Sequence, residues 1–259
     1  MKNILIISGL DPSAGAGFIT DLQVASRIGL RPVGVITNNT VQNAEHFYKN
    51  YHNSPEVVKD QISAIVEEHT IDAVKIGMIG QFRMVDALVD TLIKYGLPNI
   101  VLDPLIRSST DFELTTPKAY KTMKERLFPK IFAITPNISE AEKISGKIIV
   151  TPKDMQKTAE YISKEFDIPA VIIKGGHLDG DPVDVLYYLG HFVQLRSRRL
   201  PGDFHGTGCV FSTAMASFLA EGLPPDRAFK MAHKFQQTMM RKRIDNHWNF
   251  FITPNHKPM

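Results

Sequence analysis

Short β-rich apolar runs alternate along this 259-residue chain with longer amphipathic stretches, and that alternation leaves few folds open. The runs fall near residues 3–8, 33–37, 73–76, 99–102, 131–134 and 170–174. Helical periodicity falls near 15–28, 55–69, 82–95, 117–127, 153–166, 208–221 and 225–240. Strands apolar on both faces and separated by helices belong in a parallel sheet covered on both sides. Residues 184–188 and 191–195 differ, because two strand-like runs meeting at Leu189-Gly190 read as a hairpin that adds an antiparallel edge. Gly29, Gly96 and Gly222 punctuate helix ends, while Ser54-Pro55 and Thr151-Pro152 have the cap-then-proline form of helix starts. The expectation is one α/β domain over residues 1–259, a three-layer sandwich with a mostly parallel central sheet.

Composition narrows the setting. A 43% hydrophobic content supplies a substantial core, and a single cysteine excludes an internal disulfide. The opening Met1–Gly9 has too short an apolar run for a signal peptide, and no stretch approaches the roughly 20 apolar residues that span a bilayer, so a cytoplasmic protein is expected. The net charge of +3 and the two small clusters at Arg196, Arg198 and Arg199 and at Arg241, Lys242 and Arg243 read as solvated surface, which argues against nucleic acid as a partner.

In an open α/β sheet, ligands sit beyond the carboxyl ends of the strands. Those ends are polar here: Ser8 through Gly17, Thr37 through Asn43, Lys75-Ile76-Gly77-Met78, Asp103-Pro104, Thr135-Pro136-Asn137 with Glu140, and Lys174-Gly175-Gly176-His177. The last is Asp203 through Ser212, where the only cysteine, Cys209, follows Gly206-Thr207-Gly208 at the mouth of a helix. A dinucleotide fingerprint fails, since Thr20 stands where its third glycine would fall, and a P-loop fails at Ile148 after Gly146-Lys147.

Singly, each of these residues has an ordinary structural explanation. Together they make a phosphoryl-transfer set: Asp103 and Glu140 to hold Mg²⁺, Lys174 to neutralise phosphate oxygens, and a helix mouth to receive developing charge. Cys209 is then placed to accept a hydroxyl proton, because a helix N-terminus lowers a thiol's pKa.

These motifs, in this order over most of the chain, resemble the ribokinase-like superfamily and, within it, the hydroxymethylpyrimidine/phosphomethylpyrimidine kinases. The resemblance implies a ribokinase-like sandwich in which Gly9, Asp21, Gln42 and Met78 line the acceptor pocket. It implies that Asn137, Lys174 and Thr207 meet ATP, that Asp103 and Glu140 serve Mg²⁺, and that Gly206 and Gly208 form an anion hole with Cys209 as base. The implied reaction is ATP-dependent phosphorylation of 4-amino-5-hydroxymethyl-2-methylpyrimidine, a heteroaromatic alcohol, followed by its monophosphate. A homodimer is implied as well.

The chain departs from the family pattern at Leu10, Ala14, Asn38-Asn39, Phe204 and Val210, and at a segment 105–112 that lacks the usual glycine-containing flap. Two other readings therefore stay open, a pyridoxal or pyridoxine kinase on the same frame and a catalytically silent ligand-binding relative.

Overall fold

The computed structural model describes residues 1–43, 46–107, 113–202, 204–243 and Trp248. Strands β1 (Asn3–Leu10), β2 (Arg31–Gln42), β3 (Phe47–His52), β4 (Ala73–Ile76), β5 (Ile100–Leu102), β6 (Ala133–Ile134), β7 (Ala170–Ile173), β8 (Val183–Tyr188) and β9 (His191–Arg196) form one sheet. Its order is β3-β2-β1-β4-β5-β6-β7-β8-β9. From β2 through β7 the pairings are parallel. The expected β8–β9 hairpin closes one edge, with β7–β8 also antiparallel.

Among the described residues, eight α-helices accompany these strands: α1 (Gly17–Ile28), α2 (Pro55–Glu68), α3 (Phe82–Tyr95), α4 (Pro117–Thr122), α5 (Ile138–Ser145), α6 (Pro152–Phe166), α7 (Thr207–Ala220) and α8 (Pro225–Arg241). Their ends follow the local chemistry. Ser54 and Thr116 accept from the third residue beyond them, each with proline in the first turn, while Gly29 and Gly96 end α1 and α3 in the left-handed conformation. The stretch expected as one helix over 117–127 is α-helical only to Thr122. It continues as a π-helical turn and then a 3₁₀ turn at 128–130, where Pro129 has no N–H to continue the ladder.

Alternation along β1 divides the core into two layers. Leu5 and Ile7 face α2, α3 and α6 through Val58, Ile62, Leu88 and Met155, whereas Ile4 and Ile6 face α1, α7 and α8 through Val24, Met215 and Phe229. Helix α7 is buried along nearly its whole length, consistent with the apolar composition on all its faces.

Two elements differ from expectation. The strand expected over 33–37 runs on to Gln42 and pairs antiparallel with β3, so both edges of the sheet are antiparallel. Helix α5 is also additional: its eight residues are too short for a clear period, and a capping box between Asn137 and Glu140 starts it. Asp203, residues 108–112 of the 105–112 segment, and the C-terminal 248–254 segment apart from Trp248 lie outside the described residues.

Candidate active site

A cleft of about 1020 Å³ opens at the carboxyl ends of the parallel strands. Thr40, Gln42 and Phe47 wall one end, with Gly9 and Met78 beside them, and Asn137, Ser139, Glu140, Lys143, Lys174 and His177 wall the other. Between the two ends lies the turn Gly206–Cys209.

That turn is fixed by backbone packing. Gly206 is left-handed (φ 78°), and a Cβ there would lie 2.0 Å from the Gly15 carbonyl oxygen, so only glycine lets the turn press on the loop after β1. Gly17 meets the same limit, with φ 59° and 2.4 Å from a notional Cβ to the Gly9 oxygen. Inside that loop Asp11 is buried and accepts from Ser13 N at 2.9 Å, Ser13 Oγ at 2.7 Å and Ala16 N at 3.0 Å. His205 Nε2 stands 3.5 Å from Asp11 Oδ2. Burial works against the Asp11 charge, yet His205 and Ser13 hold its carboxyl below the usual range. The loop is also tied from the far end of the chain, since Trp248 Nε1 donates to the Gly15 oxygen at 2.9 Å. Arg243 lies over the rings of Phe204 and Trp248, its guanidinium carbon 5.3 and 5.1 Å from their centroids.

At the other end Lys174 Nζ donates to Asp103 Oδ1 at 2.9 Å, and Ser212 Oγ sits 3.3 Å from Asp103 Oδ2. Burial alone would depress the Lys174 ammonium, but Asp103 and Glu140 overcome it and raise its pKa. A Cβ on Gly208 would sit 3.1 Å from Lys174 Nζ, so the glycine lets the cation lie against the helix mouth. Glu140 Oε2 accepts from Asn137 N at 2.8 Å. Burial pushes the Glu140 carboxyl up to about 7 despite the Lys174 charge, with Asp103 adding to the rise.

Ten of the expected site residues line the cleft: Gly9, Gln42, Met78, Asn137, Glu140, Lys174, Gly206, Thr207, Gly208 and Cys209. Two acids expected there do not. Asp103 is fully buried beneath Lys174, and Asp21 is fully buried against Lys75 Nζ (2.5 Å) and Thr213 Oγ1 (2.7 Å). The direct contact between Asp21 and an acceptor expected from the resemblance is therefore corrected to a place in the floor beneath the cleft.

The thiol feels two opposed effects: the helix N-terminus favours a thiolate, while burial pushes Cys209 up to about 12, with the Lys75 charge opposing. Residues that sequence reasoning gave no role include Asp11, Phe47 and Lys143 on the cleft wall, and Arg243, expected on the solvated surface, lies on that wall as well. Asp11 had a signal, the x-Pro-Ser turn that follows it; Phe47 had none, because its strand was not anticipated.

No cluster of three or more ligating side chains occurs among the described residues. The fit to Mg²⁺ is instead that of two neighbouring buried carboxylates, one of them short of compensating charge, which suits an ion completed by phosphates and water.

A sheet of this order with a charged cleft at the strand ends defines a ribokinase-like phosphotransferase. The chain belongs to the phosphomethylpyrimidine kinase family, whose sequence profile matches residues 11–253. It is 34% identical over 89% of its length to the hydroxymethylpyrimidine/phosphomethylpyrimidine kinase of Aquifex aeolicus, covering 91% of that protein. The crystal structure of phosphomethylpyrimidine kinase from Clostridium difficile superposes with a TM-score of 0.83 at 33% identity, covering 93% of this chain and 100% of that one. The pyridoxal kinase from Staphylococcus aureus in complex with AMP-PCP and pyridoxal superposes with a TM-score of 0.85 at 26% identity, covering 95% and 91%.

Proposed function

We propose that this protein transfers the γ-phosphoryl group of ATP to the hydroxymethyl oxygen of 4-amino-5-hydroxymethyl-2-methylpyrimidine, then phosphorylates the monophosphate, in thiamine biosynthesis. The observation that carries the reading is one cleft with a small polar and apolar end at Gly9, Gln42 and Met78, a cationic end at Lys174, and a helix mouth between them. A flat heteroaromatic ring suits the first end, where the Gln42 amide offers both a donor and an acceptor. Triphosphate suits the second.

In the transfer, a bond forms between the acceptor oxygen and the γ-phosphorus, the bond to the leaving ADP oxygen breaks, and the hydroxyl proton is released. The first-turn N–H groups of α7 face the cleft and stabilise the anionic phosphoryl oxygens, and Lys174 neutralises the charge beside them. Asp103 orients Lys174 by the 2.9 Å contact. Asp103 and Glu140 would hold Mg²⁺, directly or through water, and the ion would supply positive charge against the phosphates of ATP. Cys209 meets the acceptor hydroxyl as a thiol and orients it. In a loose transition state the proton is lost late, to an oxygen of the transferred phosphoryl group and then to water, so a pre-formed thiolate is not required.

No helix among the described residues is long and apolar enough to cross a membrane, and a cytoplasmic homodimer goes with this reading. A pyridoxal acceptor is the second reading, favoured by the likeness to the pyridoxal complex. A turnover panel with purified protein, Mg²⁺ and ATP decides between them, comparing the hydroxymethylpyrimidine, its monophosphate, pyridoxal and pyridoxine. Highest kcat/KM is expected for the pyrimidines. Faster turnover of pyridoxal reverses the order, and ATP binding without turnover of any acceptor makes the protein a silent relative.

A further inference from the structure

The loop between β7 and β8 carries His177 onto the cleft wall three residues after Lys174, and its backbone carbonyls converge on one side chain. Arg199 Nε donates to the Gly180 oxygen at 2.8 Å, one terminal nitrogen donates to the Gly176 oxygen at 3.0 Å, and the other to the Leu178 oxygen. The Arg199 backbone N–H also reaches Asp181 Oδ1 at 3.2 Å. Three carbonyl dipoles aimed at one point repel each other unless a cation lies there, and the planar fork of a guanidinium can bond all three at once. The residues flanking His177 on both sides, Gly176 and Leu178, are thus held by the same group. The root of the loop is held separately, since Gly175 N donates to Asp184 Oδ1 at 2.8 Å and His233 Nδ1 lies 2.9 Å from Asp184 Oδ2.

We propose that Arg199 is a positioning residue for the nucleotide: by bonding the 176, 178 and 180 carbonyls from outside the cleft, it pre-forms the loop that presents His177 to bound ATP. This rests on the reading that the Lys174 end of the cleft takes the nucleotide. An ordered loop binds without the cost of first selecting one conformer from many. Lysine, a point charge on a flexible stem, cannot reproduce the three-way fork.

The test compares wild type with Arg199→Lys and Arg199→Gln. ADP affinity in the presence of Mg²⁺ is measured by calorimetry, KM for ATP and for the pyrimidine by steady-state kinetics, and amide exchange over residues 175–181 in the free protein. If either substitution leaves the loop in its ordered form about one time in ten, the apparent Kd for ADP rises about tenfold. A comparable rise in KM for ATP is expected, with KM for the pyrimidine unchanged and faster exchange confined to the loop. ADP affinity within twofold of wild type overturns the proposal, as does an equal loss of affinity for the pyrimidine. Failure of the functional reading looks different: wild type that binds ADP but phosphorylates no pyrimidine sinks the acceptor assignment alone, and wild type that does not bind ADP sinks both.

Discussion

Lys75 and Asp21 form an ion pair sealed from water, with Nζ 2.5 Å from Oδ2 and neither side chain exposed. β4 supplies the lysine and α1 the aspartate, while Thr213 of α7, one turn beyond Cys209, donates to the other carboxylate oxygen at 2.7 Å. The lysine charge is felt at Cys209, where it counters part of the effect of burial. Three elements beneath the cleft are therefore locked by one buried charge pair. Removing one partner strands the other: Lys75→Met is expected to cost about 3–5 kcal/mol, and the double variant with Asp21→Leu to recover most of it. Urea denaturation of both singles and the double measures this, and a double variant as unstable as the sum of the singles rules the coupling out.

Gly206→Ala tests the contact between the α7 mouth and the loop after β1. The added Cβ falls 2.0 Å from the Gly15 oxygen at a left-handed backbone position, so the turn must shift. If the turn supplies the proposed anion-hole donors, displacing them costs about 100-fold or more in kcat, and that loss is expected in turnover assays while circular dichroism stays native.

Cys209 is expected to resist alkylation. With its pKa near 12, the free thiol is almost wholly protonated at pH 8, so iodoacetamide should react on the order of 100-fold more slowly than with an ordinary exposed cysteine. The rate should climb steadily with pH, without levelling off below pH 10. Cys209→Ala is expected to lower kcat roughly tenfold, modest because transfer is mostly positioning and charge stabilisation, and to leave the KM for ATP near its original value. A rate of alkylation that saturates near pH 7 would show a thiolate after all.

Glu140 sets a pH dependence of stability in the nucleotide-free protein. Its carboxyl is raised from 4.5 to about 7 on folding, so between those values the native state holds a proton that the unfolded chain has lost. Stability must then fall as pH rises from about 4.5 to 7 and level off above, the opposite slope to that of a salt-bridged acid. Glu140→Gln removes the penalty while keeping a side-chain oxygen for the cap at Asn137 N. The variant is expected to gain on the order of 2 kcal/mol over wild type at pH 8 and almost nothing at pH 4.5, read from thermal melts across that range.

The parallel part of the sheet was legible because its strands are short, mostly apolar runs, and the mouth of α7 because glycine and cysteine stand at its start. Strand β3 was not, since Phe47–His52 is a half-exposed edge and the polar Thr37–Gln42 partner hides its own extended form. Asp21 shows a different limit. Its place in a familiar motif pointed to the acceptor pocket, but its helix turns it inward to a lysine 54 residues away, a pairing that no local pattern encodes. The Cys209 environment was legible only in part: the helix N-terminus is visible in sequence, whereas the depth of burial that opposes its effect depends on every neighbouring element.

The sheet order also has a consequence for how the chain is made. Once β1 to β3 exist, β4 docks on β1, and every later strand up to β9 docks on the one synthesised just before it. Each segment leaving the ribosome thus finds its partner already present, and pairing can advance outward without waiting for distant sequence. The Gly206–Cys209 turn emerges only after β9, so a nascent chain arrested before it would carry the whole sheet without the glycine turn that closes the middle of the cleft.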